Sequence, residues 1–340
     1  MTAEDLPPGE PVEVTETAAY DGNNAIVIPV KDAAEKITSE ISRIIIGQQE
    51  LLTQLITGLF AGGHLLVEGV PGIAKTLSAR MLALTLKLKY TRIQFTPDLM
   101  PSDVTGTSVF NMKTSDFTFN PGPVFSQIVL IDEINRAPAK TQAALFEVME
   151  EAQVTMDGET YKMEQPFMVL ATQNPIEQEG TYRLPEAQLD RFLFRIRIGY
   201  PELNEEIEIL KRFRNDTAAA LTGAVNSVLQ GQDVLQLRSI VDQVFIKDEL
   251  LEYIAKVIDQ TRHDADLFLG ASPRASLSLM RASKALAAIR GRAYVVPDDI
   301  KDVAYPVLNH RIQVNPEREM EGLDSNQVIK RILQSIEIPR

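Results

Sequence analysis

The sequence predicts an α/β protein in which a parallel, doubly wound sheet is followed by a smaller domain built of helices. Short apolar runs typical of buried strands alternate with helical patterns up to about residue 200. Beyond Pro201 the strand patterns stop, and helical patterns continue. We therefore expect three segments: an acidic N-terminal arm at 1–30, an αβα core at 31–201 and an all-helical domain at 202–340.

The predicted arm differs in composition from the rest of the chain. Residues 1–30 contain no Lys or Arg, several acidic residues and the prolines Pro7, Pro8 and Pro11. This composition is typical of a flexible or loosely attached segment. Its one apolar run, at 26–28, is a candidate edge strand.

Helices and strands of the core follow from apolar spacing. Two helices are predicted between 31 and 60 and are separated at Gly47. Strands are predicted at 65–67, 90–95, 127–131, 167–171 and 192–198, and helices at 75–88, 139–151 and 186–191. An insertion rich in Pro and Gly occupies 97–123, and Asp157-Gly158 predicts the turn of a hairpin at 154–161.

The second domain is predicted from helical spacing alone. Its helices are expected at 203–214, 234–244, 248–261, 273–290, 297–305 and 325–335.

Composition narrows the classes of function. The formal charge of −13 disfavours nucleic acid and acidic membrane surfaces, which require clustered Lys and Arg. The absence of Cys excludes disulfides and thiolate chemistry, and three dispersed His make a His-based metal site a poor interpretation. No apolar run is long enough to span a membrane and no secretory signal is visible, so we expect a cytoplasmic protein.

Residues 64–76, His-Leu-Leu-Val-Glu-Gly-Val-Pro-Gly-Ile-Ala-Lys-Thr, predict a buried strand that turns through a glycine-containing loop into a helix. Backbone N–H groups in such a loop and at a helix N-terminus point at phosphates. We expect Lys75 to reach the β- and γ-phosphates of a nucleoside triphosphate and the Thr76 hydroxyl to ligate Mg²⁺.

One residue departs from the phosphate-loop pattern G-x-x-x-x-G-K-[ST]. The pattern fits at Gly69, Lys75 and Thr76, but Ala74 replaces its second glycine. Alanine is acceptable there if residue 74 has right-handed helical dihedrals. The positions that require glycine are then Gly69 and Gly72.

A pair of carboxylates, Asp132 and Glu133, follows the apolar strand at 127–131. Open α/β sheets bind ligands at the carboxyl ends of their strands. In a phosphate-loop enzyme the first carboxylate holds the Mg²⁺ shell, and the second orients and deprotonates the attacking water. A helix-capping turn explains the pair taken alone, but the preceding phosphate loop favours the catalytic interpretation.

Three further side chains are candidates for the catalytic set. Asn174 follows the strand at 167–171, where its amide can position the attacking water. Arg191 directly precedes the last strand and can act as an arginine finger in a neighbouring subunit, with Arg195 as the competing candidate. Arg274 lies in the first turn of a helix, against the helix dipole, which suggests an anionic partner. Singly, these residues are also explained by an Asn-Pro turn, a surface ion pair and an exposed arginine.

Together these motifs resemble the MoxR group of AAA+ ATPases. The resemblance covers residues 35–335 and rests on eight segments in order: Ile46-Gly47-Gln48, Gly69-Val-Pro-Gly-Ile-Ala-Lys-Thr76, Gln94-Phe-Thr-Pro-Asp-Leu-Met-Pro-Ser-Asp103, Gly122-Pro-Val-Phe125, Ile131-Asp-Glu-Ile-Asn-Arg-Ala-Pro138, Ala171-Thr-Gln-Asn-Pro175, Leu184-Pro-Glu-Ala-Gln-Leu-Asp-Arg-Phe192 and Gly270-Ala-Ser-Pro-Arg274. An alanine before the lysine is normal for this group.

The resemblance implies an αβα ATPase core with a helical lid, assembled into hexameric rings with ATP between subunits. It identifies the insertion at 97–123 with the helix-2 insert of this clade, and the hairpin at 154–161 with its pre-sensor hairpin. The implied motifs are Walker A at 69–76, Walker B at 128–133, sensor 1 at Asn174, an arginine finger at Arg191 and sensor 2 at Arg274.

By the same resemblance we expect chaperone-like use of ATP to remodel or activate partner proteins, often metalloenzymes and proteins with von Willebrand A domains. The expected cofactors are ATP and Mg²⁺, with Thr76 and Asp132 at the metal and Glu133 as the base. The expected nucleotide contacts are Ile46, Gly47, Gly69, Val70, Pro71, Gly72, Ile73, Ala74, Lys75, Thr76 and Leu77, where Ile46 and Gly47 correspond to the adenine-contacting segment.

Two alternatives to an ATP-driven chaperone remain open. A nucleotide-gated scaffold with little turnover is opposed by the intact set of Glu133, Asn174 and Arg191. A ring ATPase that acts on nucleic acid is opposed by the acidic balance and by the lack of basic runs in the insertion at 97–123 and the hairpin at 154–161.

Overall fold

The helices and strands are those of a computed structural model that describes residues 24–70, 72–73, 75–113, 115–175, 180–214, 223 and 225–338. Residues 1–23 of the predicted arm, and Pro71 and Ala74 of the phosphate loop, lie outside this part. After a short 3₁₀ helix at Asn24–Val27, the elements in chain order are α1 (Ile28–Ser42), α2 (Gln49–Phe60), β1 (His64–Gly69), α3 (Lys75–Thr85), β2 (Tyr90–Gln94), α4 (Pro101–Thr105), β3 (Gly106–Asn111), β4 (Asp116–Pro121), β5 (Ile128–Asp132), α5 (Ala139–Glu151), β6 (Gln153–Met156), β7 (Glu159–Lys162), β8 (Met168–Gln173), α6 (Glu186–Leu189), β9 (Phe192–Ile198), α7 (Leu203–Phe213), α8 (Gly231–Asp242), α9 (Asp248–His263), β10 (Leu267–Leu269), α10 (Pro273–Ile289), α11 (Pro297–Leu308), β11 (Gln313–Val314), α12 (Pro316–Met320) and α13 (Ser325–Ser335).

The core contains a five-stranded sheet in the order β2-β5-β8-β1-β9, and every neighbouring pair is parallel. Parallel neighbours require crossover connections, and helices supply them on both faces. The predicted fold class, an αβα core followed by a helical domain, is therefore confirmed.

Both faces of the sheet are covered at its three central strands, β5, β8 and β1, which explains why most of their residues form unbroken apolar runs. In β1, Leu65 and Val67 join one hydrophobic cluster, whereas Leu66 joins the cluster on the other face. The first cluster continues through α1 and α2 into the lid helices, and the second contains Leu145 and Phe146 of α5. Strands buried on both faces lose the apolar/polar alternation of half-exposed strands.

The boundary of the predicted arm is wrong for residues 24–30. Instead of an edge strand, they form the short 3₁₀ helix and the start of α1, with Pro29 in the first turn. Val27 and Val30 are completely buried against the core. The burial of these two valines stabilises the segment despite the acidic, Lys- and Arg-free composition of the predicted arm. Pro29 is compatible with the helix because a proline in the first turn removes no helical hydrogen bond.

The predicted hairpin at 154–161 is confirmed, and the insertion at 97–123 contains a second hairpin that contacts it. β3 and β4 pair antiparallel inside the insertion at 97–123, and β6 pairs with β7. Asp157 and Gly158 have φ of 52° and 83°, as a two-residue hairpin turn requires. The ring of Phe119 in β4 stacks on Tyr161 in β7 with centroids 4.3 Å apart.

The lid is helical, as predicted, with one addition. β10 and β11 form a short antiparallel ladder that the sequence pattern does not reveal. None of the described helices has both the length and the apolar character needed to cross a membrane.

A half-buried histidine at the start of β1 makes the free energy of unfolding depend on pH. His64 Nδ1 accepts a hydrogen bond from Val169 N at 2.9 Å, and Nε2 donates to Met149 O at 3.0 Å. This arrangement requires the neutral ring. Burial lowers the pKa of His64 to about 4 from its ordinary value of 6.5.

We expect the free energy of unfolding to fall by roughly 2 kcal/mol through His64 between about pH 7.5 and about pH 5. The sign follows because the unfolded chain binds a proton in this window while the folded chain does not. Urea unfolding at the two pH values measures the effect. His64→Gln should reduce the pH dependence, whereas His263→Gln, on an exposed side chain, should not. Equal pH dependence in wild type and His64→Gln would contradict this assignment.

Candidate functional site

The loop between β1 and α3 requires glycine at both predicted positions. A Cβ on Gly69 would lie 2.9 Å from Ile198 O and would overlap the side chain of Ile73. Gly72 has φ of +88°, a conformation that L side chains rarely adopt, and a Cβ there would contact nothing within 4 Å. The backbone of the loop therefore depends on these two glycines, and the loop ends at the N-terminus of α3, a helix of eleven residues.

Lys75 and Leu77 lie in the first turn of that helix. The Lys75 ammonium donates to Gly69 O at 2.5 Å and to Gln173 O at 3.4 Å. Lys75 therefore links the phosphate loop to the carboxyl end of the neighbouring strand β8. Leu77 packs, half-buried, against the core, and Val70 is half-buried at the start of the loop.

The carboxylate of Asp132 is fixed at the end of β5. Its Oδ1 accepts from Thr172 Oγ1 at 2.6 Å, and its Oδ2 accepts from Thr76 Oγ1 at 3.2 Å and from Arg92 Nε at 2.8 Å. Asp132 is only 6% exposed. The hydroxyl and carboxylate oxygens of Thr76 and Asp132, brought together at one point, are the donors that Mg²⁺ prefers. The residues present therefore fit this metal.

Glu133 lies beside Asp132 in a strained backbone conformation. Its φ is +57°, and its N–H donates to Thr172 Oγ1 at 3.0 Å. Its Oε2 accepts from Gln94 Nε2 at 2.9 Å and pairs with Arg136 Nε at 2.8 Å. Strained residues held by several contacts are concentrated at functional sites.

Asn174 follows β8 at the same edge of the sheet. It is buried, and it is two residues beyond Thr172, which bonds to both Asp132 and Glu133. The structure therefore gathers five predicted residues at one edge: Lys75, Thr76, Asp132, Glu133 and Asn174.

The segment before α2 also contacts the phosphate loop. Ile46 is buried, and Gly47 and Gln48 have φ of 69° and 55°. Gln48 Nε2 donates to Ile73 O at 3.3 Å. The carboxylate of Glu205 in α7 packs so closely on Gly47 that a Cβ there would overlap it. The predicted base-contacting segment is thus adjacent to the loop and to the first lid helix.

Arg191 and Arg274 lie together, but at the opposite edge of the sheet from Lys75. In the register of β1 and β9, His64 pairs with Phe192, and Gly69 pairs with Ile198. Arg191, which precedes Phe192, is therefore roughly 17 Å of strand length from the phosphate loop. Arg191 Nε lies 3.0 Å from Glu150 Oε2, and Arg274 Nη2 lies 2.6 Å from Glu150 Oε1.

Arg195, the competing arginine, is engaged within its own chain. Its Nη2 lies 2.8 Å from Glu68 Oε2, and the Glu68 carboxylate is only 6% exposed. Arg197 Nε lies 4.0 Å from the same oxygen. This geometry gives Arg195 the role of compensating a buried charge.

We expect Arg195→Met to lower the free energy of unfolding by roughly 3 kcal/mol, because it leaves Glu68 buried beside only the more distant Arg197. Urea denaturation of the single variant and of Arg195→Met/Glu68→Met tests this. The double variant should recover part of the loss, since no charge is then left unpaired. A single variant as stable as wild type would contradict the pairing.

Several residues of the site were not assigned from sequence. Thr172, Gln94 and Arg136 all lie inside the segments that carry the family resemblance, so position in a motif was the available signal. Arg92 and Glu150 gave no signal of this kind. Their roles depend on partners 40 or more residues away.

The phosphate loop follows β1, and two adjacent carboxylates lie at the end of β5, which is separated from β1 by β8. Together with a helical lid, these features define a phosphate-loop ATPase of the AAA class. Residues 64–194 match the ATPase family associated with various cellular activities, and residues 259–332 match the AAA lid domain. The chain is 44% identical to the YeaC protein of Bacillus subtilis, over 89% of this chain and 94% of that protein. It is 42% identical to the chaperone MoxR1 of Mycobacterium tuberculosis, over 90% and 82%. The chain belongs to the MoxR family of AAA+ ATPases.

A solved structure supports the same assignment. The crystal structure of a protein from Cytophaga hutchinsonii superposes with a TM-score of 0.85 at 43% sequence identity, over 93% of this chain and 98% of that one.

Proposed function

We propose that this chain hydrolyses ATP with Mg²⁺ at sites formed between protomers, and that it uses the hydrolysis to remodel client proteins. The proposed assembly is a homo-oligomeric ring, with a hexamer as the expected size, in the cytoplasm. The description of MoxR1 as a chaperone supports protein clients. Metalloenzymes and proteins with von Willebrand A domains are the client classes that the family resemblance favours.

One observation carries this proposal: the residues predicted for the two halves of an ATPase site lie at opposite edges of the same sheet. The phosphate loop and the carboxylates are at the carboxyl edge, whereas Arg191 and Arg274 are roughly 17 Å away along the strands. A single chain cannot bring them to one phosphate in this arrangement. In a head-to-tail ring, the arginine edge of one protomer meets the phosphate edge of the next.

The roles of the chain's own residues follow from their positions. The loop N–H groups and Lys75 bind the β- and γ-phosphates, and Ile46 and Gly47 contact adenine. Thr76 and Asp132 hold the metal, and bound Mg²⁺ would neutralise charge on the phosphate oxygens. Glu133 accepts a proton from the attacking water, which Asn174 orients. Arg191 and Arg274 of the neighbour stabilise negative charge on the transferred phosphoryl group.

The carboxylate of Glu133 is held before reaction by two donors, Gln94 and Arg136, on the same oxygen. Gln94 is the last residue of β2, and the insertion at 97–123 follows this strand. During turnover, Glu133 either keeps these two hydrogen-bond partners or exchanges one of them for the attacking water.

The rate of ATP hydrolysis per protomer, measured against protein concentration, tests the proposal. We expect the rate to be negligible without Mg²⁺, to rise with concentration and to reach a plateau as the ring assembles. A constant rate per protomer, in a preparation shown to be monomeric, would contradict a site shared between protomers. Failure to bind ATP with Mg²⁺ would contradict the proposal altogether.

A further inference from the structure

The carboxylate of Glu150 joins the two arginines that come from different domains. Arg191 precedes β9 in the core, and Arg274 opens α10 in the lid. Glu150 bonds one guanidinium with each of its oxygens, at 3.0 Å to Arg191 and 2.6 Å to Arg274. Arg191 Nη1 also donates to Phe146 O at 2.6 Å, one turn earlier in α5.

Two of the three charges in this group lie against the preference of their own helices. Glu150 is in the last turn of α5, where the helix dipole disfavours an anion, and Arg274 is in the first turn of α10, where it disfavours a cation. The group is also about one-third to one-half exposed, so its ion pairs contribute little to stability. Neither helix stability nor ion-pair stability therefore explains these charges. Their arrangement is explained if Glu150 serves to hold the two arginines side by side.

A second carboxylate fixes the same joint between core and lid. Asp190, next to Arg191, accepts from Ser272 Oγ at 2.9 Å and from Arg311 Nε at 2.7 Å. Arg311 is 2% exposed and also donates to Phe192 O at 2.6 Å. Lid residues therefore hold the backbone on both sides of Arg191, and the Asp190 contact fixes the residue two before Arg274.

We propose that Glu150 is a positioning residue that holds Arg191 and Arg274 as one unit toward the neighbouring protomer's γ-phosphate. This inference rests on the proposed function. One carboxylate between two guanidinium groups offsets their mutual repulsion and still leaves a net positive charge. The contacts to Glu150 use one N–H of each guanidinium out of the five that each carries. Movement of the lid then moves both cations together.

Steady-state ATP hydrolysis by the assembled full chain tests the role of Glu150. We expect Glu150→Gln to lower kcat roughly tenfold, since contacting residues in one network couple by this amount. KM for ATP should stay within about twofold, because the protomer's own phosphate loop is unchanged. The matched control is Glu151→Gln, an exposed neighbour on the same helix, which should hydrolyse ATP at the wild-type rate.

Two further variants separate positioning from a general structural effect. Glu150→Asp keeps the charge, so its kcat should lie closer to wild type than that of Glu150→Gln. In a double-mutant cycle, Glu150→Gln should lower kcat less in an Arg274→Ala background than in wild type, because the two residues act together.

The outcomes distinguish this inference from the function on which it rests. If wild type hydrolyses ATP and Glu150→Gln matches Glu151→Gln, the role of Glu150 is refuted and the ATPase proposal stands. Multiplicative effects in the cycle, or a loss of ATP binding together with kcat, also refute it. If wild type itself does not turn over ATP, the proposed function fails first.

Discussion

Replacing Glu133 by Gln is expected to abolish turnover and to preserve ATP binding. Gln has nearly the same shape and still accepts hydrogen bonds from Gln94 and Arg136, so the local geometry should persist. Its amide cannot take a proton from water. We expect kcat to fall by about 10²–10⁴-fold, the range for loss of a general base.

Phosphate release and equilibrium binding of a fluorescent ATP analogue give the two measurements for Glu133→Gln. Glu147→Gln provides the control, since Glu147 is an exposed carboxylate on α5 in the same domain. Hydrolysis at the wild-type rate by Glu133→Gln would remove Glu133 from its assigned role. Loss of ATP binding in the variant would assign Glu133 to binding instead.

Replacing Arg191 by Ala is expected to lower kcat by about 10³–10⁵-fold, the range for an arginine finger. The affinity of each protomer's phosphate loop for ATP should change little, because Arg191 lies at the far edge of the sheet. The loss therefore appears in the assembled protein at saturating ATP.

Arg183→Ala is the matched control for Arg191→Ala, since the Arg183 side chain is 82% exposed in the segment before α6. Size-exclusion chromatography establishes whether each variant still assembles. An assembled Arg191→Ala protein with wild-type turnover would refute the finger. If Arg195→Met instead lost turnover while remaining stable, the assignment of the two arginines would be reversed.

The central strands of the sheet could be predicted because they are buried on both faces. Runs such as 128–131 and 167–171 are continuously apolar and are bounded by polar or turn-forming residues, so strand type and position follow, whereas Arg195 and Arg197 interrupt the apolar run at 192–198. The phosphate loop and the carboxylates after β5 follow equally directly, since their chemistry depends on residues close together in sequence.

The local sequence pattern did not predict the structure where tertiary burial decided it or where the element was very short. Composition suggested that residues 24–30 belong to the arm, but two valines in that segment fill the core. The strands β10 and β11 have three and two residues, too few for a period-two signal. Ser272 occupies the N-cap position of α10, yet its side chain caps no helix N–H and its hydroxyl donates to Asp190 in the core.

Contacts between distant segments could not be predicted from the sequence. The pairing of Arg195 with Glu68 depends on the register of β9 against β1. The contact of Arg274 with Glu150 spans 124 residues and two domains. Sequence reasoning could assign both Arg191 and Arg274 to phosphate, but only the fold places them side by side and away from their own phosphate loop.

A mixture of two inactive variants tests the shared site most directly. Lys75→Ala lacks a functional phosphate loop but keeps its arginine edge, whereas Arg191→Ala keeps its phosphate loop and lacks the finger. Each alone should be inactive, and mixed rings should regain hydrolysis at interfaces that combine an intact loop with an intact finger. No recovery in demonstrably mixed assemblies would contradict a site completed by the neighbouring protomer.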